Sequence, residues 1–86
     1  MKCDVRYCRR KPEMTVYIDD KKAKLCRYHY KKLLTIITYL AEYLDNVELS
    51  EILEIDPKGR LTLSYRKFKV PRKVLYRLRR ALRRIK

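Results

Sequence analysis

The sequence predicts a small α+β domain stapled near its N-terminus, and three observations carry that prediction. All three cysteines and the only histidine stand as two close pairs, Cys3-x4-Cys8 and Cys26-x2-His29. Apolar residues recur at helical spacing over 33–44 and 74–85, and at strand spacing between 49 and 65. Pro71 and the turn Asp56-Pro57-Lys58-Gly59 punctuate the second half. The resulting order is a knuckle and β-hairpin, a core helix, a second β-hairpin and a basic C-terminal helix.

The first element is the knuckle. Cys3 and Cys8 flank Asp4-Val5-Arg6-Tyr7, a turn short enough to aim both sulfurs at one ion. Pro12 breaks the chain after it. Met14 to Ile18 is β-prone, Asp19-Asp20-Lys21-Lys22 reads as a polar turn, and Ala23 to Leu25 returns. Cys26 and His29 stand at i and i+3, on one face of a helix that starts there. Thiolate and imidazole are zinc ligands, and each close pair supplies one edge of a tetrahedron. The expected ligands of one Zn2+ are therefore Cys3, Cys8, Cys26 and His29. Four protein ligands leave no open position for a catalytic water. The competing reading is buried thiols or one disulfide. A disulfide framework prefers an even count and a secreted chain, and the N-terminal residues show no signal-peptide pattern.

Knuckle, hairpin, then a helix with two ligands in its first turn resembles the treble-clef zinc fingers over roughly residues 1–45. The first pair departs from their commonest spacing, Cys-x2-Cys. Treble clefs serve in ribosomal, DNA-binding, RNA-binding and protein-interaction modules, so the resemblance implies a fold more than a task.

The core helix is expected over Arg27 to Asp45. Its apolar face is wide: Leu33, Leu34, Ile36, Ile37, Leu40, Tyr43 and Leu44. The longest uncharged run, Leu33 to Ala41, has nine residues, well short of the roughly 20 a membrane span needs. A hairpin follows over about 50–70, turning at Asp56-Pro57-Lys58-Gly59 in a type I turn. A bulge near Arg66-Lys67 accounts for the broken parity at Phe68 and Val70. A short helix over 48–54 competes with the first strand. Pro71 then opens the last helix at its first helical position, with Val74, Leu75, Leu78, Leu82 and Ile85 as its apolar stripe.

With 86 residues the chain makes a single domain, 1–45 carrying the metal module and core helix, 46–86 the hairpin and basic helix. So small a core benefits from a staple, and structural zinc supplies on the order of 10–16 kcal/mol in finger peptides. Charged residues are 40%, Gln is absent and Asn46 is the only Asn, a thermophile-like trend.

Charge is segregated. Residues 1–32 hold eleven bases and four acids, 33–57 hold six acids and no base, and 58–86 hold thirteen bases and no acid. In the last helix Lys73/Arg77, Arg79/Arg83 and Arg80/Arg84 are like-charge pairs at i, i+4, each costing roughly 0.2–0.5 kcal/mol. A polyanion relieves that repulsion, and Arg, which outnumbers Lys six to two there, suits phosphate. The expected nucleic-acid contacts are Arg72, Lys73, Arg77, Arg79, Arg80, Arg83, Arg84 and Lys86, with Arg9 and Arg10 from the knuckle. Tyrosines among the bases, Tyr7, Tyr65 and Tyr76 included, are candidates for stacking or for packing.

The leading expectation is a non-enzymatic nucleic-acid-binding zinc protein, DNA or RNA, as a cytoplasmic nucleoid- or ribosome-associated component. The alternative is a small accessory subunit of a replication or transcription machine, whose acidic, apolar centre binds a protein partner within a nucleoprotein assembly. A binder of membrane surfaces or acidic proteins is a third reading, disfavoured by bases in two separate zones. Catalysis has little support: the only His is assigned to metal, and Gly59, the only glycine, excludes a P-loop or dinucleotide fingerprint.

Overall fold

The computed structural model describes residues 2–65 and 67–85. Its architecture is α+β, with two antiparallel hairpins and three helices. In chain order the elements are β1 (Met14–Ile18), β2 (Lys21–Leu25), α1 (Arg27–Ala41), α2 (Leu49–Ile52), β3 (Leu53–Ile55), β4 (Leu61–Leu63) and α3 (Arg72–Arg84).

The first hairpin pairs Ile18 with Lys21 and Met14 with Leu25. Only Asp19 and Asp20 remain in its turn, so Lys21 and Lys22 belong to β2 rather than to the expected loop. Asp19 takes a left-handed φ of 53°, which short polar side chains tolerate in such turns. Ile18, Ala23 and Leu25 point inward and are buried.

Helix α1 begins where the ligand spacing places it, with Cys26 as N-cap. It ends at Ala41, four residues short of the expected Asp45. Tyr43 and Leu44 both send their N–H groups to the Leu40 carbonyl, turning the chain. Glu42 and Asp45 would sit at the negative end of the helix dipole, with no base in the last turn to offset them. Leu33, Ile36 and Leu40 are fully buried, whereas Leu34 and Tyr43 are about half exposed (45% and 51%). The face that enters the core is therefore narrower than the apolar pattern.

Both readings of residues 48–55 hold in part. One helical turn, α2, runs directly into β3, and the second hairpin spans only 53–63. Leu53 pairs with Leu63 and Ile55 with Leu61. The turn has the expected chemistry. Gly59 donates its N–H to the Asp56 carbonyl (2.9 Å). The Asp56 carboxylate accepts the N–H groups of Lys58 (3.0 Å) and Arg60 (2.8 Å). Gly59 has φ 81°, the left-handed residue that closes a type I turn into a hairpin. β4 ends before Lys67, so the expected bulge does not lie in a strand at Lys67; Arg66 lies outside the described residues. Pro71 sits one place earlier than expected, as the N-cap of α3.

Helix α3 packs along α1 with Val74 and Leu78 buried. Leu78 joins Leu25, Leu33, Ile36, Leu40, Ile52, Leu53, Leu61 and Phe68 between the helices and the hairpins. The knuckle ties the two hairpins together. Asp4 donates its N–H to Lys24 O (2.8 Å) on one side, and on the other Leu61 donates to Asp4 O (2.9 Å) and Arg6 to Leu61 O (2.7 Å). Val5 thus bridges β4 in parallel fashion and is buried beneath it.

Candidate metal centre and basic helix

The ligand atoms of Cys3, Cys8, Cys26 and His29 all lie within 4.8 Å of one another. Each is set by a different local device. The knuckle turn closes through Cys8 N–H to Val5 O (3.1 Å), and Cys3 N–H binds Arg10 O (2.9 Å). Cys26 follows β2 directly, and His29 is in the first turn of α1. The Cys26 N–H donates to Cys3 Sγ (3.2 Å) and the His29 N–H to Cys26 Sγ (3.4 Å). Amide donors on sulfur favour the thiolate that a metal requires.

A tetrahedral ion with bonds of about 2.3 Å to sulfur and 2.0–2.1 Å to nitrogen gives edges of about 3.8 Å (S to S) and 3.6 Å (S to N). The Cys8 and Cys26 sulfurs are 3.8 Å apart. His29 Nδ1 lies 3.7 Å from Cys3 Sγ and 3.2 Å from Cys26 Sγ. The first two separations match such edges and the third is shorter by about 0.4 Å, and Nδ1 is the His29 nitrogen that faces the Cys3 and Cys26 sulfurs. Cys3 and Cys26 are buried, Cys8 and His29 half-buried. All three thiols are free of disulfides.

Burial pushes the Cys3 thiol up to about 11 against its backbone hydrogen bonds from Val5 and Cys26. At Cys26 burial acts in the same sense, but donors from His29, Cys8, Cys3 and Tyr28 outweigh it and bring the thiol below its ordinary value. Burial, then the charges of Lys32 and Arg10, hold the His29 imidazole below its ordinary value. It is therefore neutral near pH 7 and able to ligate. The cluster can hold a metal ion.

Asp4 is a positioning residue that the sequence did not reveal. Besides its backbone bonds, its carboxylate accepts the Lys24 N–H at 2.7 Å, fastening the knuckle to β2. The only signal was a lone acid between two cysteines in a basic segment.

The bases of α3 from Arg72 to Arg84 are exposed, as are Arg9 and Arg10; Lys86 lies outside the described residues. With about 3.6 residues per turn, Lys73, Arg77, Arg80 and Arg84 form one row. Arg72, Tyr76, Arg79 and Arg83 form another. Among the described residues, no α3 base lies within 4 Å of a side-chain carboxylate: Glu54 pairs with Lys67 (3.2 Å) and Glu13 with Arg27 (3.5 Å). Arg80 instead covers the Tyr76 ring at 5.8 Å, and Arg10 and Lys32 both lie over the Tyr28 ring (4.7 and 4.6 Å). Among the described residues no helix is long and apolar enough to cross a membrane. Comparison of the chain with protein families, with curated proteins and with solved structures yields no match.

Proposed function

We propose that this chain is a non-enzymatic, zinc-stabilised nucleic-acid-binding protein that grips the phosphate backbone through α3. Zinc is favoured for the metal centre because three thiolates and one imidazole are a soft set that magnesium and calcium avoid. Four protein donors fill a tetrahedron and leave it structural. The order of knuckle, hairpin and ligand-bearing helix supports the likeness to treble clefs over residues 1–45.

One observation carries the nucleic-acid reading: the seven described bases of α3 are exposed and, among the described residues, no side-chain carboxylate lies within 4 Å of them. The helix tolerates internal repulsion that phosphates would relieve. Backbone contacts of this kind position a protein without reading sequence. If about six cations neutralise phosphates, the affinity for duplex DNA falls with log salt at a slope near −5. The variant Arg77→Gln/Arg80→Gln/Arg84→Gln is expected to flatten that slope and to weaken unrelated sequences alike, while keeping its metal and fold. Salt-independent binding, or no affinity for DNA or RNA, would overturn the reading.

A second reading has its own support. Leu34 and Tyr43 are exposed at 45% and 51%, close in sequence to the acids Glu42, Asp45, Glu48 and Glu51. An accessory subunit that meets a protein partner through this centre would use such a face. Capture of a stoichiometric protein partner that Leu34→Lys abolishes would select it.

A further inference from the structure

Helix α3 faces a second feature besides solvent. Two open clefts border β4, one beside the knuckle and one beside α3, and they adjoin at Thr62, Leu63 and Tyr65, which line both and make them two sections of one groove. The section beside the knuckle encloses about 540 Å³, and its apolar floor includes Val5, Leu61 and Leu82. The section beside α3 encloses about 850 Å³. Volumes of this order accept single planar or phosphorylated groups. Arg6 and Lys32 stand at one end, Lys67, Arg79 and Arg83 at the other. The groove carries one carboxylate, Glu54, and Lys67 already meets it at 3.2 Å.

Tyr7 stands at the knuckle end of this groove. Its backbone is left-handed, φ 63°, a conformation bulky residues seldom adopt. The turn that brings Cys8 round imposes it. The side chain gains no burial in return, since Tyr7 is 78% exposed. The Arg6 guanidinium lies over one face of its ring, 4.9 Å from the centroid, so the opposite face is the one a base would meet. A cation beside an exposed ring is the combination that receives a nucleobase next to a phosphate.

We propose that this groove binds a single strand of nucleic acid, with Tyr7 as a stacking platform and Arg79 and Arg83 holding phosphates at the other end. The proposal rests on the nucleic-acid reading of α3 and specifies its ligand. A duplex keeps its base faces stacked inside and presents a convex backbone, so it suits the outer row Lys73, Arg77, Arg80 and Arg84. Only an unpaired strand offers bases to a ring on a concave surface.

The test uses the zinc-loaded full chain and two labelled probes. One is an oligothymidine of about ten nucleotides, within known single-strand site sizes; the other is a duplex of about twenty base pairs, long enough for several phosphate contacts. Tyr7→Asn removes the ring and keeps a residue that accepts positive φ. It should lower oligothymidine affinity about five- to hundredfold, leave duplex affinity and zinc content unchanged, and be rescued by Tyr7→Phe. Arg79→Gln/Arg83→Gln, away from the knuckle, should cost the single strand more than the duplex, and Arg77→Gln/Arg80→Gln/Arg84→Gln the reverse. Wild-type strand affinity in Tyr7→Asn, or equal losses on both probes, overturns the proposal. Duplex binding without single-strand binding in the parent protein overturns the groove alone. Binding of neither probe overturns the nucleic-acid reading with it.

Discussion

Cys26 serves three purposes. Its sulfur completes two edges of the metal cluster, its N–H donates to Cys3 Sγ, and its side chain caps α1 by accepting the His29 N–H. Serine is among the best N-caps, so Cys26→Ser keeps a cap and removes the thiolate. It is expected to bind no zinc and to lose cooperative unfolding, as read by elemental analysis and thermal circular dichroism. A folded, zinc-free variant would show that capping and packing suffice. At this scale the ligands were legible because metal chemistry admits few residue types at few spacings. Asp4 was not, because its role depends on Lys24 and Leu61, which are distant in sequence. The exposed position of Leu34 was equally hidden, since periodicity marks an apolar face and not the width of what covers it.

Among the elements, turns were read more securely than the strands they join. Asp56-Pro57-Lys58-Gly59 declared its geometry through residue chemistry alone. The strands beside it are three residues each, too short for alternation to separate them from the helical turn of α2. Gly59 allows a clean measurement. An added methyl meets nothing within 4 Å at this residue, so Gly59→Ala pays only for the left-handed backbone. The expected loss is about 1–2 kcal/mol, seen as a lower denaturation midpoint with an unchanged slope. A neutral result would mean that the turn relaxes to negative φ. The end of α1 was misplaced for an electrostatic reason: apolar spacing continues to Leu44, but Glu42 and Asp45 oppose the dipole there.

At the scale of the molecule, the acidic centre and the basic C-terminal segment meet in one ion pair among the described residues, Glu54 with Lys67. Glu54 thus meets a base outside α3, and among the described residues no side-chain carboxylate lies within 4 Å of an α3 base. The fold class was legible because each half announced its own pattern. The groove along β4 was not, because the knuckle, the second hairpin and α3 together line it, and no local pattern encodes the bridge between Val5 and Leu61. Through that bridge, loss of a bound metal is expected to reach the second hairpin as well as the knuckle. Thiolates must be deprotonated to ligate, so protons compete with zinc as pH falls. Protons taken up by the released ligands favour the unfolded chain, and stability falls in the acid direction. Burial, with Lys32 and Arg10 nearby, holds the His29 imidazole below its ordinary value. A chromogenic zinc indicator and far-ultraviolet circular dichroism should therefore change together on acid titration. Zinc release well before any loss of secondary structure would count against a structural role. The double attachment of the knuckle also sets an order in time. During synthesis all four ligands emerge before Leu61 does. At that point the segment around Val5 can bond within the knuckle and to β2, but not yet to Leu61. The later half of the chain, on arriving, fixes the knuckle from its second side through Leu61 and so closes over the Cys3, Cys8, Cys26 and His29 cluster.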